Sequence, residues 1–198
     1  MDRIFEMITK VKNKARQDFV PIVRDETLKT MLSICKEEKV KSILEIGTAT
    51  GYSALNLLTV AENVVTIEKN EGRFEEAKNN FAEAHVDERV KQYLGDAGEV
   101  LEKLCQSGQK FDLIFLDGPK GQYKRYLQYI IKLLGKGGIL FADNILLGGL
   151  IYDDSRVNHK NRAMVKNMRT FLEEIKSSKD FESQIFEIED GFAICKKL

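Results

Sequence analysis

Short apolar runs alternate with amphipathic helical stretches from residue 40 onwards, and this alternation constrains the fold more than any other feature. Five runs read as strands, at residues 41–47, 63–69, 90–96, 111–118 and 137–144. Strand and helix in turn predict βαβ units and a largely parallel α/β sheet with helices on both faces. A hairpin signal at Asp190 and Gly191 adds two strands, so we expect seven strands ending in an antiparallel hairpin.

The composition is that of an ordinary globular chain. The 198 residues are 43% hydrophobic and 31% charged, with a formal net charge of zero. This favours a single domain over residues 1–198, with residues 1–40 as N-terminal helices packed on it. A neutral chain has no overall field that attracts nucleic acid or membrane, so any such contact needs a local patch.

The sequence gives little indication of a membrane span, a signal peptide or a disulfide. No apolar run approaches the roughly 18 residues that span a bilayer, and the N-terminus is a charged amphipathic pattern without the apolar region of a signal peptide. The three cysteines show no CxxC spacing. We therefore expect no membrane contact, no disulfide partner and a cytoplasmic location.

Three of the predicted strands end on an acid or next to one, namely Glu68, Asp117 and Asp143. Ligands of open α/β sheets bind at the carboxyl ends of the strands. A further acid, Glu45, precedes the glycine-rich turn of ILEIGTATGYS, whose Gly47 and Gly51 fit neither GxGxxG nor a Walker loop. A phosphate would sit poorly beside this carboxylate, whereas a cationic ligand would not.

Glu68 ends the second strand about 20 residues after the turn, at a position where an acid can bind ribose hydroxyls. Together with the glycine-rich turn and Glu45, it predicts S-adenosylmethionine as the ligand. This molecule carries a sulfonium and an amino group but no phosphate. The alternative interpretation is a tight strand-to-helix turn followed by a solvated glutamate.

Five stretches resemble the successive motifs of the cation-dependent class I O-methyltransferases of the catechol and caffeoyl-CoA group: LEIGTATGYSA, VVTIEKN, YLGDA, FDLIFLDGPKGQY and ILFADNILLGG. The resemblance runs from about residue 20 to the C-terminus and implies a Rossmann-like class I methyltransferase fold. Within the family the chain is most similar to short bacterial members that methylate 5-hydroxyuridine in tRNA. The compact length, the PIV segment at 21–23 and a basic helix support this, and the absence of tryptophan argues against a catecholamine substrate.

The resemblance implies a role for each matching residue. Asp117, Asp143 and Asn144 match ligands of Mg²⁺ or another divalent cation, and Lys120 matches a lysine near the acceptor hydroxyl that serves as general base or stabilises the oxyanion. Lys120 and Asp117 are thus the expected catalytic residues. The turn and the resemblance together assign these positions to the cofactor: Val23, Glu45, Gly47, Ser53, Glu68, Asp96, Ala97 and Asp117. From the residues alone, Asp143 and Asn144 could instead form a turn, and Lys120 could be a solvated loop lysine.

We therefore expect methyl transfer from S-adenosylmethionine to the 5-hydroxyl of wobble 5-hydroxyuridine in tRNA, forming 5-methoxyuridine. The alternative is a catechol or caffeoyl-CoA-type O-methyltransferase. An oxidoreductase on a Rossmann sheet and a non-catalytic RNA-binding protein are the competing classes. The expected RNA-binding residues, whose alternative is a solvated helix face, are Arg156, Lys160, Arg162, Lys166 and Arg169. Relatives commonly dimerise, so we also expect a homodimer.

Overall fold

The computed structural model describes residues 2–198. Internal contacts divide the chain after Val100 into two compact units. We call residues up to Val100 the N-terminal unit and residues Leu101–Leu198 the C-terminal unit, and each is described by itself.

The N-terminal unit combines helices with three parallel strands. Its elements are α1 (Asp2–Gln17), α2 (Asp25–Glu37), β1 (Ser42–Ile46), α3 (Tyr52–Leu57), β2 (Asn63–Glu68), α4 (Glu71–Glu83) and β3 (Val90–Leu94). Strand β2 pairs in parallel with both β1 and β3. Helix α5 (Ala97–Gln106) begins in this unit. The first three predicted strands are therefore confirmed, and two helices precede them in the chain.

The C-terminal unit contains two parallel strands and an antiparallel hairpin. Its elements are β4 (Phe111–Leu116), α6 (Tyr123–Leu133), β5 (Leu134–Asp143), α7 (Arg162–Ser177), β6 (Phe181–Phe186) and β7 (Phe192–Lys197). Strands β4 and β5 are parallel, whereas β7 is antiparallel to both β5 and β6. Over residues 2–198 the strand order is β3-β2-β1-β4-β5-β7-β6, which confirms the predicted sheet of seven mostly parallel strands.

Strand β5 begins earlier than the sequence indicates. The glycines of 124–138 read as a helix stop, yet α6 ends one residue before Leu134 and the glycine-rich stretch lies within the strand. A Cβ at Gly138 would lie 3.0 Å from the Gly135 carbonyl oxygen and 3.1 Å from that of Phe111. The register between β4 and β5 also shifts just after Phe111. Glycine is thus required here by close backbone approach at a bulge.

Helix α6 shows how the apolar pattern builds the core of its unit. Its buried side chains recur at helical spacing: Tyr123, Tyr126, Leu127, Ile130 and Leu133. The charged residues between them stay exposed. Among residues 2–198, none of the helices has both the length and the apolar character needed to cross a membrane.

The cysteines give a first test of these burial assignments. All three are free thiols, and burial raises the pKa of Cys35 to about 12 and that of Cys195 to about 11. Cys105 is only partly buried. Because the thiolate is the nucleophile, we expect iodoacetamide at pH 8 to modify Cys105 first and the other two only in urea, as followed by peptide mass spectrometry. Equal modification rates in the folded protein would contradict the assignment.

Candidate functional site

The glycine-rich turn after β1 has a backbone that only glycine adopts easily. Gly47 and Gly51 have φ values of 106° and 83°. A Cβ at Gly51 would also lie 2.8 Å from the ring of Phe81. The Thr50 hydroxyl is buried and has no hydrogen-bond partner among the residues that the structure describes. A close-packed turn with an unsatisfied hydroxyl fits a site that is completed by a bound polar ligand.

The Glu68 carboxylate at the end of β2 is fixed by backbone donors. Its Oε2 accepts a hydrogen bond from the Ala49 N–H at 2.9 Å. Its Oε1 accepts from the N–H groups of Lys69 at 2.9 Å and Asn70 at 2.8 Å. Since a carboxylate offers about four acceptor positions, Glu68 can still receive a ligand hydroxyl. The sequence did not indicate that the same carboxylate also holds the turn.

Glu45 lies behind the turn and is fully buried, with 0% of its surface exposed. The Thr66 hydroxyl donates to Glu45 Oε2 at 2.6 Å, and the hydroxyls of Thr48 and Thr66 are 2.5 Å apart. Glu45 and Thr66 are register partners in β1 and β2. Sequence reasoning missed both threonines, although Thr66, a polar residue in the otherwise apolar middle of β2, was an available signal. A direct contact of Glu45 with a cofactor stays a prediction.

Replacing Thr66 with valine is expected to destabilise the protein by about 1–3 kcal/mol, because the buried Glu45 carboxylate loses one hydrogen-bond donor while the shape of the replaced side chain is kept. Chemical denaturation measures the free energy of unfolding. Thr66→Ser retains the hydroxyl and is the matched control, expected to lose less stability than the valine variant. Equal losses in the two variants would argue that packing, not the hydrogen bond, is what matters.

The other residues assigned to the cofactor in the N-terminal unit lie in varied surroundings. Val23, Ser53 and Ala97 are buried. The Asp96 carboxylate accepts a hydrogen bond from the backbone N–H of Gly98 at 2.9 Å, so it helps to start α5. Their contacts with a cofactor stay predictions.

A second polar cluster lies in the C-terminal unit, at the ends of β4 and β5. Asp117 directly follows β4, and its Oδ1 accepts a hydrogen bond from Lys120 Nζ at 2.5 Å. Lys120 Nζ also donates to the Tyr123 hydroxyl at 2.9 Å. The side chain of Lys120 is only 19% exposed. A solvated loop lysine therefore does not describe it.

Asp143, the last residue of β5, is 2% exposed. Its Oδ1 accepts from the Asn144 N–H at 2.7 Å, and Asn144 has a left-handed φ of 54°. The turn foreseen as an alternative is thus present. Burial, and then the negative charge of Asp117, raise the pKa of the Asp143 carboxyl to about 7. A buried carboxylate whose ionisation is opposed by a neighbouring carboxylate favours a cation beside the pair.

The donor set of this cluster suits a hard divalent cation. Two carboxylates and an amide supply only oxygen ligands, which Mg²⁺ prefers. Among residues 2–198, no group of three or more His, Cys, Asp and Glu side chains is arranged to hold a metal ion. A cation here would therefore need the Asn144 amide and solvent or substrate oxygens besides Asp117 and Asp143.

The predicted basic surface is brought together only in part. Arg162, Lys166 and Arg169 line a groove of about 440 Å³, together with Asp154 and Glu173. The guanidinium of Arg169 is engaged, since it donates to the Ile151 carbonyl at 2.9 Å and pairs with Asp154 at 2.7 Å. The other engaged cation, Arg156, donates to the Gly148 carbonyl at 3.1 Å. The exposed cations that remain are Lys160, Arg162 and Lys166.

The known proteins that this chain is similar to are O-methyltransferases. A family model described as O-methyltransferase matches residues 3–198. A caffeoyl-CoA O-methyltransferase from Populus kitakamiensis is 31% identical over 188 residues, which cover 90% of this chain and 78% of the relative. A catechol O-methyltransferase from Mycobacterium tuberculosis is 36% identical over 118 residues, which cover 58% of this chain and 53% of that relative.

A solved structure matches the whole fold. The O-methyltransferase TomG from Streptomyces achromogenes, which takes part in tomaymycin synthesis and was solved with S-adenosylmethionine, superposes with a TM-score of 0.87 at 28% identity. The match covers 97% of this chain and 89% of that one. The expected Rossmann-like methyltransferase fold is thereby confirmed.

Proposed function

Since the chain belongs to the O-methyltransferase family, we propose that it transfers a methyl group from S-adenosylmethionine to one of two neighbouring oxygens on a small catechol or caffeoyl-CoA-type acceptor. The names of the two relatives compared above support this acceptor class more than they support tRNA, the acceptor expected from the sequence. S-adenosylmethionine as donor is supported by its presence in the TomG structure.

One observation carries the proposal: Asp117 and Asp143 end neighbouring parallel strands, with Lys120 Nζ 2.5 Å from Asp117. We propose that Asp117, Asp143 and Asn144 hold a divalent cation, which lowers the pKa of a chelating hydroxyl when bound. An acceptor with two vicinal oxygens suits the open coordination positions that three protein ligands leave. The same reasoning gives Lys120 its role, because its Nζ can take or hold the hydroxyl proton as the carbon–oxygen bond forms and the carbon–sulfur bond breaks.

Residues of the N-terminal unit would bind the donor. Glu68 offers its remaining acceptor positions to the ribose hydroxyls, and the backbone of Gly47 allows close approach. The buried Thr50 hydroxyl gives the ligand one further hydrogen-bonding group. Contacts of the donor with the other assigned residues remain predictions; these residues are Val23, Glu45, Ser53, Asp96, Ala97 and Asp117.

The second candidate is methylation of 5-hydroxyuridine in tRNA, whose 5-hydroxyl and 4-oxo groups also form a vicinal pair. The exposed cations Lys160, Arg162 and Lys166 favour it, because phosphate contacts need a local basic surface rather than net charge. Asp154 and Glu173 in the same groove weaken this argument.

The homodimer and the cytoplasmic location also remain predictions.

Methyl transfer from labelled S-adenosylmethionine separates the two candidates. Catechol, caffeoyl-CoA and tRNA bearing 5-hydroxyuridine are assayed side by side with Mg²⁺. We expect labelling of at least one small acceptor. Labelling of tRNA alone would replace the main proposal by the second candidate, and the triple variant Lys160→Ala, Arg162→Ala, Lys166→Ala would then lose activity on tRNA.

A further inference from the structure

The hydroxyl of Tyr123 lies at the centre of the cluster in the C-terminal unit. Tyr123 is fully buried, and its ring packs edge-on against Phe171 with centroids 5.5 Å apart. The hydroxyl oxygen is 2.9 Å from the carbonyl oxygen of Leu116 and 3.0 Å from that of Asp143. It also accepts the hydrogen bond from Lys120 Nζ at 2.9 Å. One atom is therefore in contact with both strand ends and with the lysine.

The Tyr123 hydroxyl contacts β4 and β5 at the place where the pairing between these two strands ends. The pairing between β4 and β5 ends at Leu116 and Ala142. Asp117 and Asp143 are the next residues, so their separation is set beyond the last ladder pair. The phenol bridges the two strands at this point, since its single proton is shared between the carbonyls of Leu116 and Asp143. The hydroxyl therefore joins the two strands at Leu116, which precedes Asp117, and at Asp143 itself.

We infer that Tyr123 is a positioning residue for the proposed reaction: its hydroxyl sets the spacing of Asp117 and Asp143 and directs Lys120 Nζ. The inference rests on the proposed function, because it gives these three groups their roles. Groups behind a metal ligand commonly change metal affinity 10- to 100-fold when they are removed. Tyr123 acts in the same way, but through the backbone of the ligand-bearing strands.

The test compares Tyr123→Phe with Tyr126→Phe. Tyr126 is one turn further along α6 and is 1% exposed, so both variants lose one buried phenol hydroxyl and keep the ring. Mn²⁺ binding to the whole protein is followed from the free-ion signal in electron paramagnetic resonance. Steady-state assays give kcat and KM. For Tyr123→Phe we expect about tenfold weaker Mn²⁺ binding and a kcat lowered about 10- to 100-fold, with the KM for S-adenosylmethionine within about twofold of wild type.

The outcomes separate the inference from the proposed function. Wild-type Mn²⁺ affinity and kcat in Tyr123→Phe would overturn the inference alone, and equal losses in Tyr126→Phe would do the same. No Mn²⁺ binding to the wild-type protein would overturn the proposed metal centre and the inference with it. If Tyr123→Phe does not fold, Phe171→Leu takes its place, since it loosens the Tyr123 ring but keeps the hydroxyl. Weaker Mn²⁺ binding in that variant supports the inference, and unchanged binding overturns it.

Discussion

Replacing Asp143 with asparagine is expected to lower the rate of methyl transfer about a thousand-fold. The change keeps the side-chain shape and leaves an oxygen that can accept the hydrogen bond from the Asn144 N–H. It removes one of the two charges proposed to hold the divalent cation. A bound cation stabilises charge in the transition state by several kcal/mol, and about 1.4 kcal/mol corresponds to a factor of ten in rate. Initial rates at saturating Mg²⁺ and S-adenosylmethionine measure the effect.

The same variant is expected to keep its stability. Burial and the charge of Asp117 raise the pKa of Asp143 to about 7 in the folded protein, above its ordinary value of 3.8. Between these two pH values the folded state binds more protons than the unfolded state, so the metal-free wild-type protein loses stability as pH rises. An asparagine has no charge to bury. In EDTA at pH 8, Asp143→Asn should therefore melt at or above the wild-type temperature.

Asp180→Asn is the matched control, because Asp180 is an exposed aspartate of the same unit. It should retain wild-type activity. A fully active Asp143→Asn protein would remove Asp143 from the proposed metal centre. An inactive variant that also melts at a much lower temperature in EDTA would point to a structural role instead.

Replacing Glu68 with glutamine is expected to weaken S-adenosylmethionine binding about 10- to 100-fold, since hydrogen bonds to a charged group each contribute about 1.5–3 kcal/mol. Glutamine has one acceptor oxygen where the carboxylate has two. The NH₂ group of the glutamine would face either the N–H of Ala49 or the N–H groups of Lys69 and Asn70. Two hydrogen-bond donors would then point at each other, and a hydrogen bond would be lost. Both the ribose acceptor and the geometry of the turn should suffer. Isothermal titration calorimetry measures the Kd.

Glu71→Gln provides the comparison, because Glu71 is an exposed glutamate at the start of α4, only three residues away. We expect it to bind the donor as the wild type does. An unchanged Kd in Glu68→Gln would contradict both the proposed ribose contact and the part of Glu68 in shaping the binding turn.

The alternation of strands and helices and the strand-end acids were predictable because they depend on local pattern. The run 111–116 is buried except at Asp112, and Asp117 then marks the end of β4. The hairpin at Asp190 and Gly191 is likewise a local turn signal, and it lies between β6 and β7 as predicted.

The features that the sequence did not reveal depend on contacts between residues far apart in the chain. Thr66 meets Glu45 across two paired strands, 21 positions away. From the sequence, Tyr123 is one more core residue of α6. Its hydrogen bond to the Asp143 carbonyl, 20 positions away, becomes visible only in the structure. Gly138 reads as a helix stop because a close backbone approach has no signal in single-residue propensities.

Metal dependence of methyl transfer tests the central claim most directly. The protein is stripped with EDTA, dialysed and assayed with labelled S-adenosylmethionine and a catechol, before and after Mg²⁺ is restored. A phenol with a single hydroxyl serves as the acceptor that cannot chelate. We predict transfer to the catechol only when Mg²⁺ is present, and little transfer to the phenol under either condition. Full activity towards the catechol in EDTA would contradict the roles proposed for Asp117, Asp143 and Asn144.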